Sequence, residues 1–312
     1  MPEKSFDINF FNKLKKPLQK NISLRDYSNF RIGGKADYFF EATTVDELKK
    51  AILLARQYSL PYYLIGGGYN ILFDDDGYRG LIIRNKAQGV GTRRREEIEA
   101  LSGTSLRQVL QFLTENGLAG LEFLAGIPGT IGGAVSSNAG AFDKSIGHFL
   151  SEAILLDKKG EEIQVRKDYF SFSYRQSQLT EKQAVLLKAV FKVQEGDKKK
   201  VQESIEKNLK IRKGKHPSEE VACAGSFFKN PVLSDGKKVS AGFLLDQAGA
   251  KDLKVGRAAV YRGHANFIIN LDRASAKDVL LLAQELKERV REKFSVELEE
   301  EVIFLPAASS MP

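Results

Sequence analysis

Apolar residues along this chain recur with two periods, and the switches between them mark out the elements. Helical spacing is clearest after Thr44-Val45-Asp46-Glu47, which reads as a capping box, with Leu48, Ile52 and Ala55 on one face as far as Gln57. Ser105 to Asn116 has the same spacing and stops at Gly117. Lys199 to Arg212 is a polar-faced helix. Gly242 to Ala248 is a short one. Ser275-Ala276-Lys277-Asp278 caps a long helix to Phe294, with Val279, Ala283, Leu286 and Val290 as its buried stripe. Residues 1–20 alternate apolar and basic positions and predict a further short helix.

Strand-like runs lie between these helices. Tyr27 to Phe40 predicts strand, turn, strand, with Gly33-Gly34 at the turn. Pro61 to Ile65, Gly80 to Arg84, Ile98 to Leu101 and Ala184 to Val193 predict single strands. Phe149 to Asp157 and Glu161 to Arg166 predict a hairpin across Lys158-Lys159-Gly160. Strands are also expected at 225–229, Asn266 to Asn270 and Val302 to Leu305. The Lys199–Arg212 helix is the candidate boundary, because the composition beyond it shifts to a second, α/β half. No internal repeat is found, and the small, polar tail 306–312 is expected to be loose.

A chain of 312 residues with 42% apolar residues is long enough for more than one core. It carries 48 Lys and Arg against 40 Asp and Glu, a net charge of +8. The basic residues are scattered. Arg93-Arg94-Arg95 and Lys198-Lys199-Lys200 each adjoin acidic residues, and no basic stripe is interleaved with aromatics, so no nucleic-acid partner is expected. The balance suits an enzyme that handles phosphorylated substrates. Cys223 is the only cysteine, which is compatible with a reducing cytoplasm, and three histidines make a Cys/His zinc site an unfavoured reading. No apolar run reaches the ~18–20 residues of a membrane-spanning helix. No signal-peptide core is expected at the N-terminus.

The candidate chemistry lies in three segments. Leu64-Ile65-Gly66-Gly67-Gly68-Tyr69-Asn70 sets three glycines directly after a strand, where backbone N–H groups can converge on an anion. Gly126-Ile127-Pro128-Gly129-Thr130-Ile131-Gly132-Gly133-Ala134 offers close backbone approach to a ligand. Neither has the spacing of a Rossmann fingerprint or a P-loop, and a pair of ordinary turns is the alternative reading. In Ala224-Gly225-Ser226-Phe227-Phe228-Lys229-Asn230-Pro231, strand alternation places Ser226 and Phe228 on one face and Phe227 and Lys229 on the other. A hydroxyl beside an aromatic wall, with a cation and an amide nearby, suits an anionic substrate that must receive a proton. The alternative is a buried edge strand whose serine bonds to backbone.

Read in order, these segments resemble the MurB family of UDP-N-acetylenolpyruvoylglucosamine reductases. The likeness takes in Asn29-Phe30-Arg31-Ile32-Gly33-Gly34, Gly66 to Asn70 and Leu121 to Thr130. It goes on through Tyr174-Arg175-Gln176-Ser177, Gly225 to Pro231, His264-Ala265-Asn266-Phe267 and Leu298-Glu299-Glu300-Glu301-Val302. It covers nearly the whole chain. The resemblance implies an α+β protein with a vanillyl-alcohol-oxidase-type FAD-binding fold of two α+β subdomains, 1–66 and 67–205. A C-terminal α/β substrate-binding domain, 206–299, would follow, and the strand at 300–305 would return to the first subdomain.

The resemblance also implies a flavoprotein oxidoreductase of peptidoglycan synthesis, and so of cell-wall biogenesis, cell shape and cell division. Hydride would pass from NADPH to non-covalent FAD and on to the enolpyruvyl group of a UDP-sugar, giving UDP-N-acetylmuramate. Arg175 matches the family's arginine, Ser226 its proton donor and Glu301 its catalytic glutamate, with Glu300 the alternative register. Gly66, Gly67, Gly68, Asn70, Gly126, Gly129, Thr130 and Gly132 would hold the cofactor. Lys215, Lys229, Asn230 and His264 would hold the substrate. Only about fifty residues separate Arg175 from Ser226, so the long tyrosine-bearing insertion of one branch has no room, and the chain resembles the shorter type. A cytoplasmic monomer is expected, with no membrane insertion. The rival readings are another FAD-dependent oxidase or dehydrogenase of the same fold, and a non-enzymatic basic binding module.

Overall fold

In a computed structural model, which describes residues 14, 16–233 and 236–307, the chain forms three main sheets, each with its own core. The first has four strands. Gln19–Ser23 runs antiparallel to Lys35–Ala42, which pairs in parallel with Tyr78–Asn85, and that strand pairs in parallel with Tyr62–Ile65. The middles of the two central strands, Tyr38-Phe39-Phe40 and Leu81-Ile82-Ile83, are apolar on both faces because cores lie on both sides of the sheet. Phe40, Leu81 and Ile83 face the helix Val45–Gln57, while Phe39 and Ile82 join Leu24, Phe73 and Leu305 on the other side. Thr44 caps that helix by accepting from the Glu47 N–H, and the Glu47 carboxylate reaches back to the N–H of Thr43.

The first sheet extends to Asn85 because Tyr78–Asn85 bonds to both of its neighbours. The subdomain limit expected at residue 66 therefore falls inside the sheet rather than after it. The helix expected over residues 1–20 lies mostly outside the described residues, and its last part, from Gln19, is strand. The strand expected from Tyr27 is instead a 3₁₀ turn, Leu24–Tyr27, followed by irregular chain to Gly34. Of the tail, residues 308–312 also lie outside the described residues.

The second sheet is antiparallel, in the order Glu162–Arg166, Leu150–Leu156, Val185–Lys192, Glu97–Leu101, Val90–Arg94. The helix Leu106–Asn116 buries Leu106, Val109, Leu110 and Leu113 in its core. Ser105 and Gln108 form its capping box, and Gly117 ends it at φ 62°. Arg93, Arg94 and Arg95 pair with Glu152, Glu97 and Glu195, so the arginine cluster is balanced on the spot.

The third core lies between the three-stranded antiparallel sheet Lys254–Val255, Ala258–Val260, Ile268–Asn270 and the helices Ala241–Gln247 and Ala276–Phe294. Phe30, Ile32 and Leu72 reach into it from the N-terminal part. Asp75 makes a second connection, its carboxylate accepting from the N–H groups of Ala276 (2.8 Å) and Lys277 (3.2 Å) at the start of the long helix. A third is the strand Ile303–Leu305, which returns to pair in parallel with Ile71–Phe73. These three connections join the C-terminal core to the N-terminal part, and the glycine loop 66–70 bonds beside two of them, Gly68 accepting from the Asn29 N–H and Asn70 from the Ile303 N–H. No helix among the described residues is long and apolar enough to cross a membrane.

Candidate active site

The two glycine segments meet. A Cβ on Gly66 would lie 2.5 Å from Thr130 Oγ1, so the end of the strand Tyr62–Ile65 rests directly on the residue that caps the short helix Ile131–Ser136. Gly132 packs against Ser102, and its N–H donates to the Ser102 carbonyl at 2.7 Å. A side chain at Gly129, at φ +142°, would meet open space, which leaves the backbone there free for close approach. Small residues on both sides and exposed backbone between them fit an extended diphosphate such as that of FAD.

Gly68 is the strictest position in the loop. At φ +72° its missing Cβ would stand 1.9 Å from the Tyr27 carbonyl oxygen, whereas at Gly67 the obstacle is only the movable Tyr69 ring. Gly68→Ala is expected to combine a backbone clash with about 1–2 kcal/mol of left-handed strain. The product should be colourless and melt at a lower temperature, as read by flavin absorbance and thermal unfolding of the purified variant. Colour and melting temperature like those of the parent would show that the loop does not need glycine there.

The remaining candidates converge from distant parts of the chain. Phe228 forms a bridge with Glu300, the Lys229 N–H donates to the Glu299 carbonyl and the Glu301 N–H to that of Phe227, so the serine segment and the glutamate run lie side by side. Each glutamate has a different cation. Glu299 pairs with Lys229, Glu300 with Lys287 on the long helix at 2.9 Å, and Glu301 with Arg175, Nε to Oε1 2.7 Å. Glu301, not Glu300, is therefore the glutamate beside the arginine. Burial pushes the Glu301 carboxyl above its ordinary range, against the opposing pull of Arg175, Lys229 and Lys238.

Arg175 is held at φ 57°, with one Nη2–H donated to the Gly140 carbonyl at 3.0 Å. Its Nε faces the Glu301 carboxylate in a part-buried ion pair. Tyr174, beside it, carries the Lys238 ammonium 3.1 Å above its ring centre, and its hydroxyl accepts from the Asn230 N–H at 3.3 Å.

The strand expected at 225–229 is not regular. Gly225 turns the chain at φ +80°, and Phe227 and Phe228 are both buried in one core, with ring centroids 5.1 Å apart. The alternation of faces therefore fails here. A side chain takes the place of a neighbouring strand: buried Asn266 accepts from the Phe228 N–H at 2.9 Å and donates to its carbonyl at 2.8 Å. The Ser226 hydroxyl has no hydrogen-bond partner among the described residues.

Asn70 and the substrate candidates are engaged as follows. The Asn70 amide donates to the Glu301 carbonyl at 3.0 Å, and its own carbonyl accepts from Ile303, so it ties the glycine loop to the glutamate. The Asn230 side chain accepts from the N–H of Ala241. Lys215 is exposed beside the histidines. His264 Nδ1 accepts from the Asn266 N–H, which leaves Nε2 as the donor of a neutral ring.

His216 stands edge-on to His264, with centroids 5.8 Å apart, and both touch Phe267. Burial, aided by Arg212, pushes His216 down to about 4, and burial lowers His264 too. Between about pH 4 and 6.5 the unfolded chain therefore binds more protons at His216 than the folded one, and stability falls as pH falls through that window. The expected loss is of the order of 1–3 kcal/mol for this residue. Urea unfolding at pH 7.5 and 4.5 should show a smaller difference for His216→Gln, and an unchanged difference would contradict the assignment.

Arg212 was not among the expected residues. Its Nε–H donates to the Gly126 carbonyl at 3.1 Å, and burial and the nearby Arg175 both lower its pKa. Two guanidinium groups near the second glycine segment favour an anion there. A sequence signal existed, since Arg212 continues the buried stripe Val201, Ile205, Leu209 of the helix Lys198–Lys213.

A family model described as the UDP-N-acetylenolpyruvoylglucosamine reductase C-terminal domain matches residues 216–305, and one described as an FAD binding domain matches 36–166. The chain is 37% identical over 292 residues to the UDP-N-acetylenolpyruvoylglucosamine reductase of Clostridium novyi, covering 92% of each. It is 38% identical over 296 residues to that of Caldicellulosiruptor saccharolyticus, covering 94% of this chain and 93% of the relative. The crystal structure of MurB from Thermus caldophilus superposes with a TM-score of 0.76 at 32% identity, covering 93% of this chain and 99% of that one. The FAD-binding α+β fold and the C-terminal domain thus account for nearly the whole chain, and the chain belongs to the MurB family of UDP-N-acetylenolpyruvoylglucosamine reductases.

Proposed function

We propose that this chain reduces the enolpyruvyl double bond of UDP-N-acetylenolpyruvoylglucosamine with electrons from NADPH, and that Arg175, Ser226 and Glu301 carry the substrate step. FAD, held along the two glycine segments and first reduced by NADPH, would supply hydride to the β-carbon. Charge then builds on the α-carbon and its carboxylate. Arg175 meets that charge with its guanidinium, which the Glu301 carboxylate and the Gly140 carbonyl hold in place. Ser226, whose hydroxyl is unengaged, gives its proton to the α-carbon. Glu301 holds Arg175 in place and, with its proton affinity raised by burial, orients or relays the proton.

Lys215, Lys229, Asn230 and the neutral His264 are proposed to receive the UDP diphosphate. Lys229 is already paired with Glu299, so part of its charge is balanced before substrate arrives. The FAD-binding part would comprise the first two sheets and the substrate part residues 206–299. The proposed state is a monomer, and a lone buried cysteine suits the cytoplasm.

The observation that carries this reading is the meeting of Arg175, Glu301 and the Ser226 segment beside the joined glycine segments. It is tested on the purified protein. FAD should be released by acid, since no covalent attachment is proposed, and NADPH oxidation should depend on the enolpyruvyl sugar nucleotide. NADPH oxidation driven equally well without that substrate would favour an oxidase of the same fold.

A further inference from the structure

The segment bearing Ser226 is held by its backbone and by the buried rings of Phe227 and Phe228, not by the serine side chain. Its hydroxyl has no partner among the described residues, and the residue before it, Gly225, sits at φ +80° with open space where a Cβ would be. Backbone bonds flank the segment: the Phe227 N–H donates to the Asn266 carbonyl at 2.8 Å, the Ala222 carbonyl accepts from the Asn270 N–H at 2.8 Å, and Cys223 forms a bridge with Ile269. On the far side Asn266 bonds both backbone groups of Phe228. On the near side the Cys223 carbonyl accepts from Asn29 Nδ2 at 2.7 Å, across 194 positions of sequence. The backbone N–H of the same Asn29 donates to the Gly68 carbonyl at 2.9 Å. One residue thus touches the strictest glycine of the cofactor loop with its main chain and the serine segment with its side chain.

We propose that Asn29 is a positioning residue that sets the Ser226 hydroxyl at a fixed distance from the flavin. This rests on the role proposed above for Ser226. Its physical basis is that a donor must stand within hydrogen-bonding reach of the atom it protonates, and a displacement of about 1 Å can cost on the order of 10²-fold. Truncating the side chain leaves the main-chain bond to Gly68, so the cofactor loop keeps its shape. It frees the Cys223 carbonyl and lets the chain pivot at Gly225.

The test uses the FAD-loaded full chain, with Asn29→Ala and the near-isosteric Asn29→Asp, which keeps the volume but removes the donor. FAD affinity and the rate at which NADPH bleaches the flavin should stay within about threefold of the parent. Recovery of flavin absorbance on adding the enolpyruvyl sugar nucleotide should slow by about 10–10²-fold. Amide hydrogen exchange, which does not depend on turnover, should quicken at Cys223 to Phe228 and stay unchanged at Gly66 to Gly68. Equal slowing of both flavin steps, no slowing of either, or faster exchange spread over both segments would overturn the proposal. The parent protein decides the underlying reading separately: if it does not reduce the sugar nucleotide, the functional reading fails, while the exchange contrast still reports on Asn29.

Discussion

Ser226→Ala is expected to bind FAD normally, to be bleached by NADPH at close to the parental rate, and to stall afterwards. Reoxidation by the enolpyruvyl substrate should slow by roughly 10²–10⁴-fold, the usual scale for losing a positioned acid. The separation follows from the fold. Ser226 lies on the C-terminal segment that pairs with the glutamate run, whereas the proposed cofactor contacts come from Gly66–Gly68 and Gly126–Gly132. Its hydroxyl bonds to nothing in the described structure, so its loss should leave the fold unchanged. Ser226→Cys should recover part of the rate, because a thiol also delivers a proton. Stopped-flow records of the two flavin steps decide the matter. Equal slowing of both would make Ser226 part of the flavin site, and no slowing would leave buried Glu301 as the leading donor.

A second large effect is expected at Arg175. Lysine would keep the charge, but it would lose both the Nη2 bond to Gly140 and the planar pair of donors for a carboxylate. Arg175→Lys should therefore lower the substrate step by about 10²–10³-fold, as for removal of one preorganised donor from a developing anion. Binding of FAD should be unaffected. The pH profile should change as well. Glu301 keeps its proton to higher pH because it is buried, while Arg175 is its strongest opposing influence. With a more flexible cation in its place, the limb that falls as pH rises through the Glu301 pKa should move to higher pH. Parental turnover and an unshifted profile in Arg175→Lys would show that the guanidinium does not hold the carboxylate.

The parts of this fold that local rules govern were legible in the sequence. Thr44, Ser105 and Ser275 cap their helices through side chains that act within three residues, and Gly117 ends one by its own φ. Phe39 and Phe40 split between two faces because a continuous ladder on both sides holds their strand flat. Phe227 and Phe228 look the same in sequence and behave differently. Gly225 bends the chain before them, and their neighbour is partly the side chain of Asn266 rather than a strand, so the two-residue period does not hold.

What could not be read locally is the set of asparagine connections. Asn29, Asn70, Asn266 and Asn270 each bond backbone 38 or more positions away, and nothing near them in sequence names the partner. The catalytic candidates came from resemblance for a similar reason. Glu299, Glu300 and Glu301 are alike as sequence and are told apart only by the three cations that meet them. Arg212 was missed although it lies on the buried face of its helix, because a basic residue in a helix with so many lysines passes as solvated.

On the reading proposed here, this chain carries electrons from NADPH to the enolpyruvyl sugar nucleotide through its own FAD. The most direct measurement is an anaerobic titration of the purified flavoprotein. One equivalent of NADPH should bleach the flavin, and UDP-N-acetylenolpyruvoylglucosamine should then restore its absorbance without air, with one equivalent of UDP-N-acetylmuramate formed per flavin. A flavin that stays bleached in the presence of that substrate and recovers only when oxygen is admitted would contradict the account.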